Sequence, residues 1–69
     1  MEGAIAAYRR ALQLFPEYAE VKNNLGNLLA RGGKTEEAIR LLEEAIQLRP
    51  DYAVAHNNLG TVLGRVGKS

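Results

Sequence analysis

The sequence contains no cysteine, no tryptophan and only one histidine. Without cysteine the chain forms neither disulfide bonds nor thiolate metal sites, and nothing in the sequence indicates a redox compartment. His56 has no second histidine or carboxylate at metal-ligand spacing, so we assign it to packing or to the surface rather than to metal binding or acid–base chemistry. We therefore expect no metal and no cofactor.

Long apolar runs and an excess of one charge are also missing. No run approaches the roughly 20 residues that span a bilayer, and Met1 leads into an amphipathic segment rather than a signal peptide. We expect a soluble chain with no membrane partner; its compartment is unknown, and the cytoplasm fits best. Nine basic against eight acidic residues lack the basic excess of a nucleic-acid-binding surface, so we expect no nucleic-acid partner.

The length excludes a deep catalytic cavity. Sixty-nine residues form at most one small domain, and a domain of this size buries only about 60% of the surface of its unfolded chain. No Ser/His/Asp arrangement and no pair of catalytic carboxylates can be assembled from the sequence. We therefore expect that the protein is not an enzyme.

Two stretches, GGKT at 32–35 and VGKS at 66–69, resemble the end of a phosphate-binding loop. Such a loop needs the pattern G-x-x-x-x-G-K-[ST] after a β-strand. The first glycine of that pattern is replaced by Leu28 in one stretch and by Val62 in the other. The residues before each stretch also have helical spacing, so we reject a nucleotide site and ask why the same stretch occurs twice.

The chain repeats itself. Shifting the sequence by 34 residues aligns 1–35 with 35–69, and 17 of the 35 pairs are identical. A period of this length is typical of solenoid proteins, in which no single repeat can bury its own apolar face.

Apolar spacing within one period predicts two helices, and the second copy predicts two more. Val21, Leu25, Leu28 and Leu29 follow the i, i+4, i+7, i+8 spacing of one helical face. After Gly-Gly-Lys the pattern resumes and ends before a proline, which cannot continue a helix. The fold class is all-α, with helices at about 2–15, 19–31, 35–48 and 53–66.

Glycine and polar residues mark the predicted turns between helices. Gly33 and Gly67 suit a left-handed backbone conformation at a helix C-terminus, because a Cβ there is unfavourable. Thr35 is the predicted N-cap of the following helix. Glu36 and Glu37 place negative charge at the positive end of that helix.

Small residues recur where the predicted helices face each other. Gly26 lies in mid-helix, where glycine costs about 1 kcal/mol relative to alanine, so we expect a close approach of the facing helix at this point. Ala38 and Ala45 are its predicted partners. The helix-packing residues are Ala4, Ala11, Gly26, Ala38, Ala45 and Gly60.

Several of the repeated residues fall into a known pattern. The central copy reads K-x2-L-G-x2-L from Lys22, then A-x3-L from Ala38, then Pro50; the last copy reads H-x2-L-G-x2-L from His56, and the first reads A-x3-Y from Ala4. Over the whole chain this resembles the tetratricopeptide repeat (TPR) family, with its W-x2-L-G-x2-Y, A-x3-F and P pattern in 34 residues. Lys22 and His56 depart from the family's tryptophan, which makes the packing less aromatic. The resemblance implies a right-handed α–α superhelix, a solenoid of helical hairpins.

The pentatricopeptide family, which binds RNA, is a related alternative. Its period is usually 35 residues, and it lacks the combination of Leu-Gly, two alanines and proline found here. We therefore favour the tetratricopeptide resemblance.

The resemblance also implies a binding surface, because the first helix of each repeat lines the concave groove where this family binds peptides. Independently, Asn24, Asn27 and Arg31 form a polar stripe at i, i+3 and i+7, opposite the leucine face. Asparagine offers a donor and an acceptor to a peptide backbone, as in the asparagine-lined groove of O-linked N-acetylglucosamine transferases, and arginine offers a fork to a carboxylate. The predicted peptide-binding residues are Asn23, Asn24, Asn27, Arg31, Asn57, Asn58, Thr61 and Arg65.

Structural roles are open for these and other residues. The asparagines can instead hydrogen-bond between neighbouring helices, and the two roles do not exclude each other. Tyr18 and Tyr52 are expected to pack on the neighbouring hairpin rather than to stack on a base. Glu43 and Glu44 are expected on a solvated outer face.

The repeat frame suggests a piece of a longer array. Residues 1–18 would supply the second helix of one repeat, 19–52 a complete repeat and 53–69 the first helix of another. Gly60 then lacks its alanine partners, and Ser69 stands where a further helix would begin. We expect a homo-oligomer built by completing repeats between molecules, as a dimer, ring or filament.

Two functional hypotheses follow. The first is a protein–protein interaction module, a scaffold fragment that binds an extended peptide. The second is a structural self-assembly unit whose partner is another copy of itself, without a separate ligand.

Overall fold

A computed structural model describes residues 2–67 of the chain. Those residues contain no strand, and the all-α prediction is confirmed. Two helices have the predicted bounds, whereas the first and last end one residue earlier than predicted. Lys68 and Ser69 of the VGKS stretch, including the predicted start of a further helix, lie outside the described residues. The helices are α1 (Glu2–Leu14), α2 (Ala19–Arg31), α3 (Thr35–Leu48) and α4 (Ala53–Arg65).

The helices form stacked helical hairpins. Helix α2 packs most extensively on α3, to which a three-residue turn joins it. Helix α1 packs on α2, while α4 packs on both α3 and α2. Helices α2 and α4 occupy equivalent positions 34 residues apart, so they lie side by side in one layer. No helix in the range 2–67 has the length and apolar character needed to cross a membrane.

The GGKT stretch is the turn between α2 and α3. Gly33 has a φ of +87°, and its backbone N–H donates to the carbonyl of Ala30 over 3.2 Å. The N–H of Lys34 donates to the carbonyl of Leu29 over 2.8 Å, which completes the hydrogen-bond pattern of a Schellman motif. Gly67 repeats the left-handed conformation with a φ of +71°. The predicted roles of both glycines are confirmed.

The N-cap prediction for Thr35 is wrong. Thr35 is the first helical residue of α3, and Lys34 occupies the cap position without a side-chain hydrogen bond to the helix. Because the turn ends at Lys34, the helix begins one residue earlier than a threonine cap requires. Glu36 and Glu37 lie in the first turn, as predicted.

Two apolar clusters hold the layers together. The first lies between α2 and α3 and is also contacted by α1; the second, which we call the alanine cluster, joins α2, α3 and α4. Alanine at the second site lets three helices approach closely. The first cluster contains Leu25, Leu29 and Ala38, and the alanine cluster contains Ala19, Ala45 and Ala55.

Gly26 lies at a close contact between α2 and α3. A Cβ on Gly26 would lie 3.0 Å from Cγ of Leu42 and 3.2 Å from the backbone oxygen of Ala38. The predicted close approach is therefore present. Its main partner is the Leu42 side chain, which sequence reasoning did not name, whereas Ala45 packs in the alanine cluster instead. A small residue here accommodates a large one.

The equivalent packing residues at α1 and α4 are more open. A Cβ on Gly60 would meet nothing within 4 Å among the described residues. Ala4 is exposed and Ala11 is half-buried. Gly60, Ala4 and Ala11 thus match the packing residues of the central repeat in type, but within residues 2–67 they do not make the close contacts of Gly26 and Ala38.

Candidate functional site

A hydrogen bond between side chains joins the two neighbouring first helices. Nδ2 of Asn58 on α4 donates to Oδ1 of Asn23 on α2 over 2.8 Å. Asn23 is only 3% exposed, so it has little surface to offer a ligand. For this pair the structure contains the inter-helix hydrogen bond that the sequence left as an alternative to peptide binding.

The polar stripes of α2 and α4 lie on either side of this bond. On α2, Asn24 and Asn27 are half-buried and Arg31 is exposed. Their helical positions are opposite the face formed by Leu25 and Leu29, which packs toward α3. The equivalent residues of α4 continue the surface. We call the six residues Asn24, Asn27, Arg31, Asn58, Thr61 and Arg65 the groove stripe.

The side chain of Asn23 forms hydrogen bonds with both Asn58 and Asn24. Asn23 accepts from Asn58 and donates from Nδ2 to Oδ1 of Asn24 over 3.3 Å. The amino group of Asn24 and the carbonyl oxygen of Asn58 make no side-chain hydrogen bond within residues 2–67. The site can therefore offer a donor at Asn24 and an acceptor at Asn58, which are the two groups that a peptide backbone needs.

The two arginines of the stripe end their helices. Arg31 and Arg65 lie in the last turns of α2 and α4, where positive charge complements the helix dipole. Both are exposed, and neither forms a salt bridge to the part of the chain that the structure describes. Their guanidinium groups can bind a carboxylate in a fork geometry.

Thr61 and Asn57 are linked to each other. Both residues are exposed, and the hydroxyl of Thr61 donates to the backbone oxygen of Asn57 one helical turn earlier, over 3.0 Å. The Thr61 oxygen can still accept a hydrogen bond. The peptide-binding roles of these residues, and of the rest of the predicted set, stay predictions.

Lys22, which stands where the family pattern has tryptophan, forms an ion pair within the α2–α3 hairpin. Nζ of Lys22 on α2 donates to Oε1 of Glu44 on α3 over 2.6 Å, and the lysine side chain is only 16% exposed. Glu43 is exposed as expected, and the Glu44 side chain is 40% exposed, so its carboxylate reaches Lys22 while it stays in contact with solvent. The alkyl chain of a lysine packs like an apolar residue while its ammonium group reaches the acid.

A second ion pair joins two second helices. Nη1 of Arg9 on α1 donates to Oε2 of Glu37 on α3 over 3.0 Å, and both side chains are at least 39% exposed. Sequence reasoning missed both ion pairs, because their residues are 22 and 28 positions apart. No local spacing rule connects such positions.

The aromatic and histidine side chains make contacts in or near the turns between helices. Tyr52 packs on the alanine cluster, as expected, and its ring lies 4.6 Å from the guanidinium carbon of Arg49. Tyr18 is 45% exposed, and its ring lies edge-to-face on Phe15 of the same turn at a centroid distance of 6.4 Å. Nε2 of His56 is 2.8 Å from the carbonyl oxygen of Pro50 on the exposed surface.

Comparison with known families supports the repeat assignment. A family model described as a TPR repeat matches residues 1–33 and again 26–67. The two matches overlap and together include all four helices. No curated protein matches the chain.

Proposed function

The chain belongs to the tetratricopeptide repeat family, and we propose that it binds an extended peptide along the groove stripe. Repeats of this family are generally non-catalytic modules for protein–protein interaction. Stacked helical repeats create extended concave binding surfaces. The hydrogen bond between Asn58 and Asn23 carries the proposal, because it sets the polar stripes of α2 and α4 next to each other.

The chemistry of the stripe favours a particular class of peptide. Asn24 and Asn58 offer one donor and one acceptor to the backbone, so they bind an extended chain without selecting its side chains. Arg31 and Arg65 select for carboxylates. Packed helices lie about 8–10 Å apart and an extended chain rises about 3.3 Å per residue, so two acidic residues about three positions apart would suit both arginines.

The balance of charge supports a peptide over a nucleic acid. Nine basic and eight acidic residues provide no broad positive surface for several phosphate contacts, which would give binding a steep dependence on salt. In the repeat frame we propose, 19–52 is the complete repeat, and the stripe of α4 extends its surface. Binding, rather than catalysis, is the proposed activity.

Selection from a random dodecapeptide library displayed on phage tests this proposal. We expect selected peptides to carry paired acidic residues and to bind the double variant Asn24→Ala/Asn27→Ala about thirtyfold more weakly, because each of the two lost hydrogen bonds contributes about 1 kcal/mol. The matched control is Arg40→Ala/Glu43→Ala, which changes two exposed residues of α3. Peptides that bind the stripe variant as tightly as the unmodified chain would contradict the proposal.

Self-association is a second candidate function. Leu14 and Phe15 are 68% and 62% exposed, and Gly60 lacks the contacts of its equivalent Gly26. Such apolar exposure is typical of interaction surfaces. Sedimentation velocity on a dilution series distinguishes the candidates: a mass that rises with concentration, together with a groove that binds no peptide, would favour a structural assembly unit.

A further inference from the structure

We propose that α1 of a second copy of this chain covers the open face of α4, in the register that α3 adopts on α2. The inference rests on the self-association proposed above and specifies its interface. The open face is the set of α4 residues equivalent to those with which α2 packs on α3. It consists of His56, Leu59, Gly60 and Leu63.

The packing of α2 shows how such a face is covered. Leu25 and Leu29 are 1% and 3% exposed, and Gly26 is in close contact with Leu42 and with the backbone of Ala38. In α4 the equivalent leucines are only half-buried, and the equivalent glycine has nothing within 4 Å among the described residues. The same apolar pattern is present on both helices, but among residues 2–67 this face is covered by a following helix only in α2.

Helix α1 carries the residues that a covering helix needs. Ala4, Tyr8 and Ala11 are equivalent to Ala38, Leu42 and Ala45 of α3. Ala4 is exposed and the other two are half-buried, with one side of Tyr8 packed on the apolar cluster between α2 and α3. The tyrosine fits the register, because the family pattern has an aromatic residue at that position. Helix α3 packs on α2 and on α4 at the same time. Helix α1 can therefore keep its own contact with α2 while its other side covers the α4 of a second copy.

An amide pair is compatible with the same register. In the proposed complex, α1 of the second copy packs on α4 of the first copy as α3 packs on α2. Helix α2 of the second copy then lies beside α4 of the first, just as α4 lies beside α2 within one chain. Asn24 of the second copy is then equivalent to Asn58, the donor of the 2.8 Å hydrogen bond, and Asn57 is equivalent to its acceptor Asn23. Asn57 is exposed, and the amino group of Asn24 is open within residues 2–67, so one of its two N–H groups can bond Asn57 while the other stays available to a peptide.

The interface joins different surfaces on the two copies, so repeated docking gives a ring or an open filament. Each added copy would also place its groove stripe beside that of the preceding copy and lengthen the peptide-binding surface. At the proposed interface, His56 of one copy faces Arg10 of the other, at the positions that Lys22 and Glu44 occupy in the α2–α3 hairpin. The interface therefore lacks the ion pair of the hairpin, and its charged contact is weaker. Restoring that pair should therefore tighten the association.

Cross-linking tests the register directly, because the chain contains no cysteine. Single variants Arg10→Cys and His56→Cys change exposed residues that face each other in the proposed dimer. We expect a short bismaleimide to link a mixture of the two about tenfold more efficiently than a mixture of Ala6→Cys and His56→Cys. Ala6 is also exposed, but it is equivalent to the outward-facing Arg40.

A charge variant provides the second measurement. Arg10→Glu/His56→Lys recreates the Lys22–Glu44 pair between copies, and we expect its dissociation constant to fall about two- to fivefold by sedimentation equilibrium. A chain that stays monomeric up to about millimolar concentration would contradict both this inference and self-association. Concentration-dependent mass without selective cross-linking, or without tightening in the charge variant, would contradict this interface alone.

Discussion

Oδ1 of Asn23 accepts a hydrogen bond from Nδ2 of Asn58 at 2.8 Å, and the two residues are one 34-residue period plus one position apart. Because each repeat carries an adjacent pair of asparagines, the first of one repeat meets the second of the next. The bond thus links neighbouring first helices in one register, and the groove stripe depends on that register.

Removing the donor of this bond should destabilise the fold. We expect Asn58→Ala to lower the free energy of unfolding by about 1–2 kcal/mol, because the buried Asn23 oxygen loses its partner. Asn57→Ala makes the same chemical change at an exposed neighbour and should alter stability by no more than about 0.5 kcal/mol. Urea unfolding of both variants, followed by circular dichroism, measures the difference. Equal losses would show that the hydrogen bond has no special role.

The two mid-helix glycines should respond in opposite directions to alanine. Gly26→Ala places a Cβ 3.0 Å from Leu42 and should cost about 1–2 kcal/mol through overpacking. Gly60→Ala meets open space in the single chain and should stabilise it by up to about 1 kcal/mol through helix propensity. Thermal unfolding at low protein concentration compares them, and a stabilised Gly26→Ala would refute the close approach.

The paired glycines of the turn provide a test of backbone conformation. Gly33 has a φ of +87°, so Gly33→Ala should cost about 1–2 kcal/mol. Gly32 has a φ of −86°, and a Cβ there meets only ordinary contacts at 3.7 Å. Gly32→Ala should therefore change stability by less than about 0.5 kcal/mol. Chemical unfolding measures both, and the Schellman turn is wrong if the two variants are equally stable.

The sequence predicted the helices well because their signals are local. The leucine spacing, the prolines at 16 and 50 and the glycines at 33 and 67 predicted the four helices to within one residue at their C-terminal ends. The error at Thr35 arose because a threonine before two glutamates looks like a cap, whereas the hydrogen bonds of the preceding turn set where the helix begins.

The Lys22–Glu44 ion pair within the hairpin should contribute more to the free energy of unfolding than the Arg9–Glu37 pair between hairpins. A double-mutant cycle with Lys22→Ala and Glu44→Ala should give a coupling energy of about 0.5–1 kcal/mol, because the lysine is largely buried. The same cycle at Arg9 and Glu37 should give less than about 0.5 kcal/mol, because the Arg9 side chain is 50% exposed whereas that of Lys22 is 16% exposed. Urea unfolding at low and high salt measures both couplings. A larger coupling at Arg9 would contradict the assigned burial.

The site was less predictable than the helices, because it depends on contacts between repeats. Helical spacing placed Asn24, Asn27 and Arg31 on one face, but it could not show which asparagine is buried. The pairing of Asn23 with Asn58 needs the distance between two helices, and that distance is set by the alanine cluster and not by local pattern.

The central claim is that the groove stripe binds peptide, and an NMR titration tests it most directly. A ¹⁵N-labelled chain is titrated with a selected peptide, while backbone and asparagine side-chain amide signals are followed. We predict the largest shifts at Asn24, Asn27, Arg31, Asn58, Thr61 and Arg65, with the outward faces of α1 and α3 unchanged. Shifts concentrated on Arg40 and Glu43, or none in the stripe at saturating peptide, would contradict the claim.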